Sequence, residues 1–261
     1  MTMLITERLS IAFGGVRAVD QVNLEIAAGQ VFSIIGPNGA GKTTLFNLIS
    51  GLYAPHEGDI YLRAENVTGY APEALARRGL SRTFQNLQIF FRMTALENVM
   101  VGRYRHERTG IVSELLRLPS VARQNRATRE AARAALARVG LADHAERLSG
   151  ALPYGALKRL EIARALASEP RVLLLDEPAA GCNPTETEEL ERLIRSIADE
   201  GVTVVLVEHD MRLVMNISDR IHVLADGKTL AEGSAAEVRN NPSVIAAYLG
   251  VYGTEAIRAV A

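Results

Sequence analysis

Gly36-Pro37-Asn38-Gly39-Ala40-Gly41-Lys42-Thr43-Thr44 is the stretch from which the rest of the chain can be read. It fits the pattern G-x-x-x-x-G-K-S/T. Val31-Phe-Ser-Ile-Ile35 precedes it, a β-branched and aromatic run that predicts a buried strand. Thr43 to Ser50 comes next with helical spacing and stops at Gly51, the residue type common just past a helix end. Strand, glycine-rich loop and helix are the context this motif requires. The glycines let the backbone close into a nest of N–H donors, and the helix aims the positive end of its dipole at the same point. Lys42 is expected to reach the β- and γ-phosphates of a nucleotide, and the Thr43 hydroxyl to ligate Mg²⁺. The motif predicts nucleotide binding and leaves open what the nucleotide is used for.

Working outward, Val172-Leu-Leu-Leu175 is a hydrophobic strand that ends in Asp176-Glu177-Pro178. In an open parallel sheet, ligands lie beyond the carboxyl ends of the strands. Asp176 is therefore expected near the Mg²⁺ of the phosphate loop. Glu177, next along the chain and pointing elsewhere, is placed to polarise an attacking water as general base. Pro178 stops the strand.

Other segments fill in the frame. Leu9 to Phe13 and Val22 to Ile26 alternate apolar with polar or small residues around a Gly14-Gly15 turn, which predicts half-buried strands. Gly58 to Leu62 and Gly79 to Phe84 predict further short strands. Asn86 to Ser168 is rich in Arg, Ala and Leu at helical spacing, as in Thr128 to Val139. Within it Arg103 to Arg129 is basic, through Arg103, Arg105, Arg108, Arg117, Arg123, Arg126 and Arg129. That run reads either as a solvated helical face or as a surface near anionic lipid headgroups. Strands return at Arg171 to Leu175, Val202 to Val207 and Ile221 to Leu224, with helical Thr185 to Glu200 among them. The alternation predicts an α/β fold with a mainly parallel sheet covered on both faces, interrupted by a helical insert.

Composition narrows the class. The 261 residues are 48% hydrophobic and 23% charged, and the net charge of −1 gives no reason to expect nucleic acid as a partner. One cysteine, Cys182, cannot form an intrachain disulfide, which fits a reducing, cytosolic compartment and others as well. Met1 to Ser10 lacks the apolar run of a secretory signal, and each apolar stretch falls short of the ~20 residues that span a bilayer. If the protein works at a membrane, other subunits must supply the spanning part.

These residues together resemble an ATP-binding-cassette (ABC) ATPase, from about Leu4 to Leu249. The resemblance implies a P-loop NTPase of the ABC nucleotide-binding type, with an N-terminal antiparallel β subdomain and an inserted α-helical subdomain. It implies one domain over residues 1–250, the helical part at about 86–168, and a tail at 251–261. ATP and Mg²⁺ are the implied cofactors. Arg82-Thr-Phe-Gln85 resembles the family's glutamine loop, whose Gln reaches the metal and the attacking water. Val207-Glu-His209-Asp210 resembles its histidine switch, which puts His209 on the γ-phosphate. Phe13 stands where the family stacks an aromatic ring on adenine.

Leu152-Pro153-Tyr154-Gly155-Ala156 stands at the signature, usually L-S-G-G-Q, with Leu152 and Gly155 retained. Pro153 replaces a Ser whose hydroxyl and N–H approach the opposing subunit's γ-phosphate, and proline has neither donor. Gly155 can still offer its N–H. Asn183 replaces a common Asp, and it can hydrogen-bond across a dimer seam without charge.

The Y-G signature, Leu160-Glu-Ile-Ala-Arg164, Pro178-Ala-Ala-Gly181 with Asn183-Pro184, and Ala247-Tyr-Leu-Gly250 are similar to the ATPases of branched-chain amino acid importers. ATPases for urea or amides, for aromatic acids and for lipopolysaccharide export share much of this pattern. The resemblance implies two transmembrane permease subunits, a second ATPase subunit, and indirectly a periplasmic binding protein. The implied place is the cytoplasmic face of the bacterial inner membrane, held peripherally. Soluble cassette proteins of translation or DNA repair usually carry two cassettes, a long coiled coil or nucleic-acid-binding parts, and this sequence shows none.

Overall fold

The computed structural model describes residues 1–106 and 119–252, the last four as backbone alone. Arg108 and Arg117 of the basic stretch, and residues 253–261 of the expected tail, lie outside the described residues.

Val31–Ile35 (β3), Val172–Asp176 (β7) and Thr203–Val207 (β8) are buried at every position, as central parallel strands must be. They pair in parallel with Leu80–Arg82 (β6) and Arg220–Ala225 (β9), and Lys228–Gly233 (β10) closes one edge antiparallel. The spatial order is β10-β9-β3-β8-β7-β6. A second, antiparallel sheet runs β2-β1-β4-β5, from Thr2–Phe13 (β1), Val16–Ala27 (β2), Glu57–Leu62 (β4) and Glu65–Asn66 (β5). The architecture is therefore an antiparallel N-terminal sheet on a mixed, largely parallel core sheet, as the family resemblance implies.

Strand alternation divides the interior into two cores. Leu173, Leu175, Val204 and Leu206 face one side, where they meet helices. Val172, Leu174, Val205 and Val207 face the other, where they meet the antiparallel sheet and Lys42–Ile49 (α1). Pro72–Arg77 (α2) leads into β6. Ala95–Val101 (α3), Pro119–Arg138 (α4) and Tyr154–Leu166 (α5) pack on one another as the helical insert. Pro184–Asp199 (α6) buries Leu190, Leu193, Ile194 and Ile197 at the spacing of one helical face. Met211–Ile217 (α7) comes after the histidine segment, and Ala235–Arg239 (α8) and Pro242–Tyr252 (α9) come after the edge hairpin. Among the described residues, no helix is long and apolar enough to cross a membrane.

Three differences from the sequence reading have local causes. β1 and β2 are each 12 residues, longer than the predicted Leu9–Phe13 and Val22–Ile26. The register shifts between Thr6 and Leu9, where Arg8 takes a φ of +46° and its N–H donates to Asn23 Oδ1 at 2.8 Å. That bulge breaks the period-2 alternation by which a strand is recognised. β6 is shorter than Gly79 to Phe84, because the chain leaves the sheet after Arg82. β10 carries no alternation, and only the Asp226-Gly227 turn signals its hairpin. Of the basic stretch, half-buried Arg103 pairs with Glu169 at 2.8 Å and exposed Arg105 reaches the Ala76 carbonyl, while Arg123, Arg126 and Arg129 stand exposed on α4.

The edge hairpin is held by a polar cluster around one buried histidine. His222, fully buried on β9, donates from Nδ1 to Glu232 Oε2 at 3.1 Å, and Arg220 pairs with the same carboxylate at 2.7 Å. The His222 hydrogen bond holds the Glu232 carboxyl below the usual range, with burial opposing and Arg220 assisting. A carboxyl depressed on folding stabilises above its unfolded pKa, and the gain is lost as pH falls through the folded value. Glu232→Gln should thus cost about 1 kcal/mol at neutral pH, the worth of a hydrogen bond. Urea unfolding at successively lower pH should show that cost shrinking, and a cost undiminished in acid would contradict the pairing.

Candidate active site

Burial of β3 between two strands brings Ile35 to the edge of the sheet and the glycine loop directly after it. Two glycines there have no substitute. A Cβ on Gly36 would lie 2.1 Å from the Leu224 carbonyl oxygen, and one on Gly41 2.3 Å from that of Ala18. Gly41 also holds a φ of +99° as the residue capping α1. The loop is thus wedged between β2 and β9, and the Gly227 N–H fixes it further by donating to Ala40 O at 3.0 Å. No side chain caps α1 and no acid occupies its first turn, so its leading N–H groups face outward with the helix dipole behind them. Asn38 and Gly39 stand exposed at the tip, beside half-buried Pro37.

Lys42 Nζ donates to the carbonyls of Gly36 at 2.7 Å and Pro37 at 3.0 Å, which points its ammonium back over the loop. Burial lowers its pKa from the usual lysine value, and the charge of Glu177 opposes that shift. Thr43 is exposed at the start of α1, with Thr44 half-buried behind it.

Register places the other groups. Ile34 and Asp176 both pair with Val207, so the chain leaves β3, β7 and β8 at one level. Asp176 ends β7 buried, and Glu177 turns away with a φ of +47° as its N–H donates to Val207 O at 2.9 Å. The Gln85 amide donates to Glu177 Oε2 at 2.9 Å. His209 Nδ1 lies 3.8 Å from the same oxygen, beyond hydrogen-bond length, on a ring 64% exposed. Gln85, Glu177, His209 and Lys42 are therefore gathered at one end of the sheet.

The remaining residues singled out in the sequence lie elsewhere. Phe13 ends β1 exposed, edge-on to Tyr53 with ring centroids 5.4 Å apart. The Leu152 side chain is part of the core, so only main chain is left there for polar contacts. Pro153 caps α5 without a side-chain hydrogen bond. Gly155 is buried beneath Glu186: a Cβ on it would lie 2.4 Å from Glu186 Oε1. Asn183, which can hydrogen-bond across a seam, uses its Oδ1 within the chain. It accepts from Glu186 N at 3.0 Å while Glu186 accepts from Asn183 N at 2.9 Å, a reciprocal cap on α6.

Other polar groups of the site carry no role that the sequence alone assigns. Arg82 pairs with Asp176 at 2.7 Å. Buried Glu208 accepts from the N–H of Ala179 at 2.9 Å and of His209 at 3.1 Å, tying the segment after Glu177 to the histidine segment. Burial raises its carboxyl above the usual range, against those N–H bonds. Lys158, buried on α5, reaches the carbonyls of Gln85 and Glu177 at 3.4 Å each. The one signal that could find them is position, since each of the three lies within a motif or next to one.

The donor set suits Mg²⁺ held largely by phosphate. No group of three or more His, Cys, Asp or Glu among the described residues could hold a metal by itself. A hydroxyl at Thr43, a carboxylate at Asp176 and an amide at Gln85 are hard oxygen donors of the kind Mg²⁺ uses beside phosphate oxygens and water.

A family model described as ABC transporter matches residues 19–180, and one described as branched-chain amino acid ATP-binding cassette transporter matches residues 228–253. The high-affinity branched-chain amino acid transport ATP-binding protein LivG of Escherichia coli K12 is 47% identical over 249 residues, covering 95% of this chain and 98% of LivG. Its counterpart BraF of Pseudomonas aeruginosa is 49% identical over 243 residues, covering 93% and 95%. A solved nucleotide-free ATP-binding cassette from an ABC transporter superposes with a TM-score of 0.83 at 32% identity, over 95% of this chain and 99% of that one. The chain belongs to the ATP-binding, ATP-hydrolysing subunits of ABC transporters, in the branch that holds LivG and BraF.

Proposed function

We propose that this chain powers import of branched-chain amino acids, with ATP hydrolysed at the end of the sheet where Lys42, Gln85, Glu177 and His209 converge. The observation that carries the chemistry is the 2.9 Å hydrogen bond from Gln85 to Glu177 above the phosphate loop. The names of LivG and BraF support the substrate class.

In this reading Gly36 to Thr44 cradle the β- and γ-phosphates, with Lys42 swinging from its loop carbonyls to the phosphate oxygens. Thr43, Asp176 and Gln85 would hold Mg²⁺, which would neutralise charge on the phosphates. Gln85 fixes Glu177 Oε2, which leaves Oε1 to accept the proton of the attacking water. His209, exposed at the surface, contacts the γ-phosphate, and Phe13 stacks on adenine. The second ATPase subunit, a copy of this chain or a related one, closes over this ATP, and the main chain of this chain's Leu152 to Gly155 segment meets the γ-phosphate that the second subunit holds. Closure then depends on ATP, and hydrolysis releases it.

A groove of about 550 Å³ beside Gln85 supports a membrane partner. Exposed Phe84 and Phe90 line it with Leu87, Arg105 and Arg164, an apolar floor with a basic rim. A helix of either permease seated there would bear on the glutamine loop. The chain would then sit at the cytoplasmic face of the membrane, with a periplasmic binding protein acting through the permeases.

Glu177→Gln should keep ATP binding and lower turnover about 10²- to 10⁴-fold, the worth of a general base. Unchanged turnover in an ATPase assay would remove Glu177 from that role. Gly41→Ala should abolish nucleotide binding in equilibrium dialysis, since its Cβ cannot coexist with the Ala18 carbonyl; retained affinity would mean the loop is not the cradle. In vesicles with both permeases, binding protein loaded with leucine, isoleucine or valine should stimulate ATP turnover. Stimulation by amides or aromatic acids alone would replace the substrate class.

A further inference from the structure

Arg82 is an arginine inside the protein. Its side chain is 7% exposed and that of its partner Asp176 is 6% exposed, with Nη2 to Oδ2 at 2.7 Å. Nη1 donates to Asn47 Oδ1 and to Ser50 Oγ, each at 2.7 Å. The guanidinium lies over the Phe46 ring at 5.5 Å and the Phe84 ring at 5.2 Å. Its Nε is buried without a partner. A buried N–H left unpaired is a cost, but an apolar side chain in its place would leave Asp176 buried without its cation, a larger one. The arginine thus neutralises Asp176, and its further hydrogen bonds to Asn47 and Ser50 add placement.

The groups it grips make that placement specific. Asn47 and Ser50 lie at the far end of α1, the helix that begins with Lys42 and Thr43. Asp176 ends β7, and Gln85 lies three residues beyond Arg82 on the same segment. A short helix is rigid, so anchoring its last turn fixes where its first turn stands relative to Asp176. The planar fork is required, because its two terminal nitrogens serve different elements at once, whereas an ammonium is a single point charge.

We propose that Arg82 is a positioning residue of the metal side of the nucleotide site, setting the Asp176 rotamer and the spacing from Asp176 to Thr43. This rests on the reading of Asp176 as a carboxylate that faces Mg²⁺. With Oδ2 held by Arg82, Oδ1 is the oxygen presented to the metal or its water shell. Arg82 touches neither nucleotide nor reacting atoms.

The test measures ATP binding by equilibrium dialysis as Mg²⁺ is varied, with an EDTA control. Arg82→Lys keeps a cation but loses the fork, and should raise the half-maximal Mg²⁺ about tenfold, as loss of a group that orients a metal ligand does. ATP affinity in EDTA should be unchanged. A purely structural arginine predicts the reverse: a lower melting temperature with the Mg²⁺ midpoint unmoved, which overturns the proposal. If Arg82→Lys does not fold, Asn47→Ala removes one anchor and leaves the ion pair, and should move the midpoint in the same direction; an unmoved midpoint there also overturns it. Asp176→Asn run in parallel separates the two claims. A midpoint moved by Asp176→Asn and not by Arg82→Lys defeats the role of Arg82 alone. No movement in either defeats the reading of Asp176 on which it rests.

Discussion

The parallel pairing of β3, β8 and β7 is the constraint on which the rest depends. Each strand is buried throughout, so none can slip by a residue without turning core side chains onto the wrong face. That fixed register brings three chain exits to one level, because Ile34 and Asp176 share Val207 as partner. The phosphate loop, the acidic pair and the histidine segment each begin at one of those exits. Chemistry at this site is a consequence of hydrophobic burial elsewhere.

The links among the exits are polar and cross long stretches of chain. Gln85 reaches Glu177, Glu208 bridges Ala179 and His209, and Lys158 spans the carbonyls of Gln85 and Glu177. The helical insert therefore touches the site through hydrogen bonds that can be remade, while the strands below it cannot shift. That division suits a transporter ATPase, in which a partner must sense the nucleotide without disturbing the loop that holds it. At the signature segment, Pro153 offers no donor and Gly155 lies under Glu186. In the proposed reading, that segment is main chain beside a carboxylate, a different surface from the lysine loop.

Legibility in the sequence tracks the distance over which each feature is built. The phosphate loop and Asp176-Glu177 are readable because nine and two consecutive residues carry their chemistry. The core strands are readable because burial on both faces leaves nearly continuous apolar runs. β1 reads short because Arg8 inserts a bulge, which is a property of the pairing with β2 and not of β1 alone. Arg82 stands out in the sequence only as part of the glutamine segment, since its partners Asn47 and Asp176 are 35 and 94 positions away. Asn183 reads as a residue for the seam, and its Oδ1 has a second, local use that the sequence reading did not weigh, accepting from the Glu186 N–H three residues on.

The mechanism requires nucleotide and metal to bind where these three strand ends meet, between Thr43 and Asp176. An anomalous difference map of the chain crystallised with ATP and Mn²⁺ addresses that requirement most directly. It should show one metal peak beside the Thr43 hydroxyl and the Asp176 carboxylate, with the γ-phosphate within reach of Lys42. A metal peak remote from Asp176, or a nucleotide bound away from Gly36 to Thr44, would contradict it.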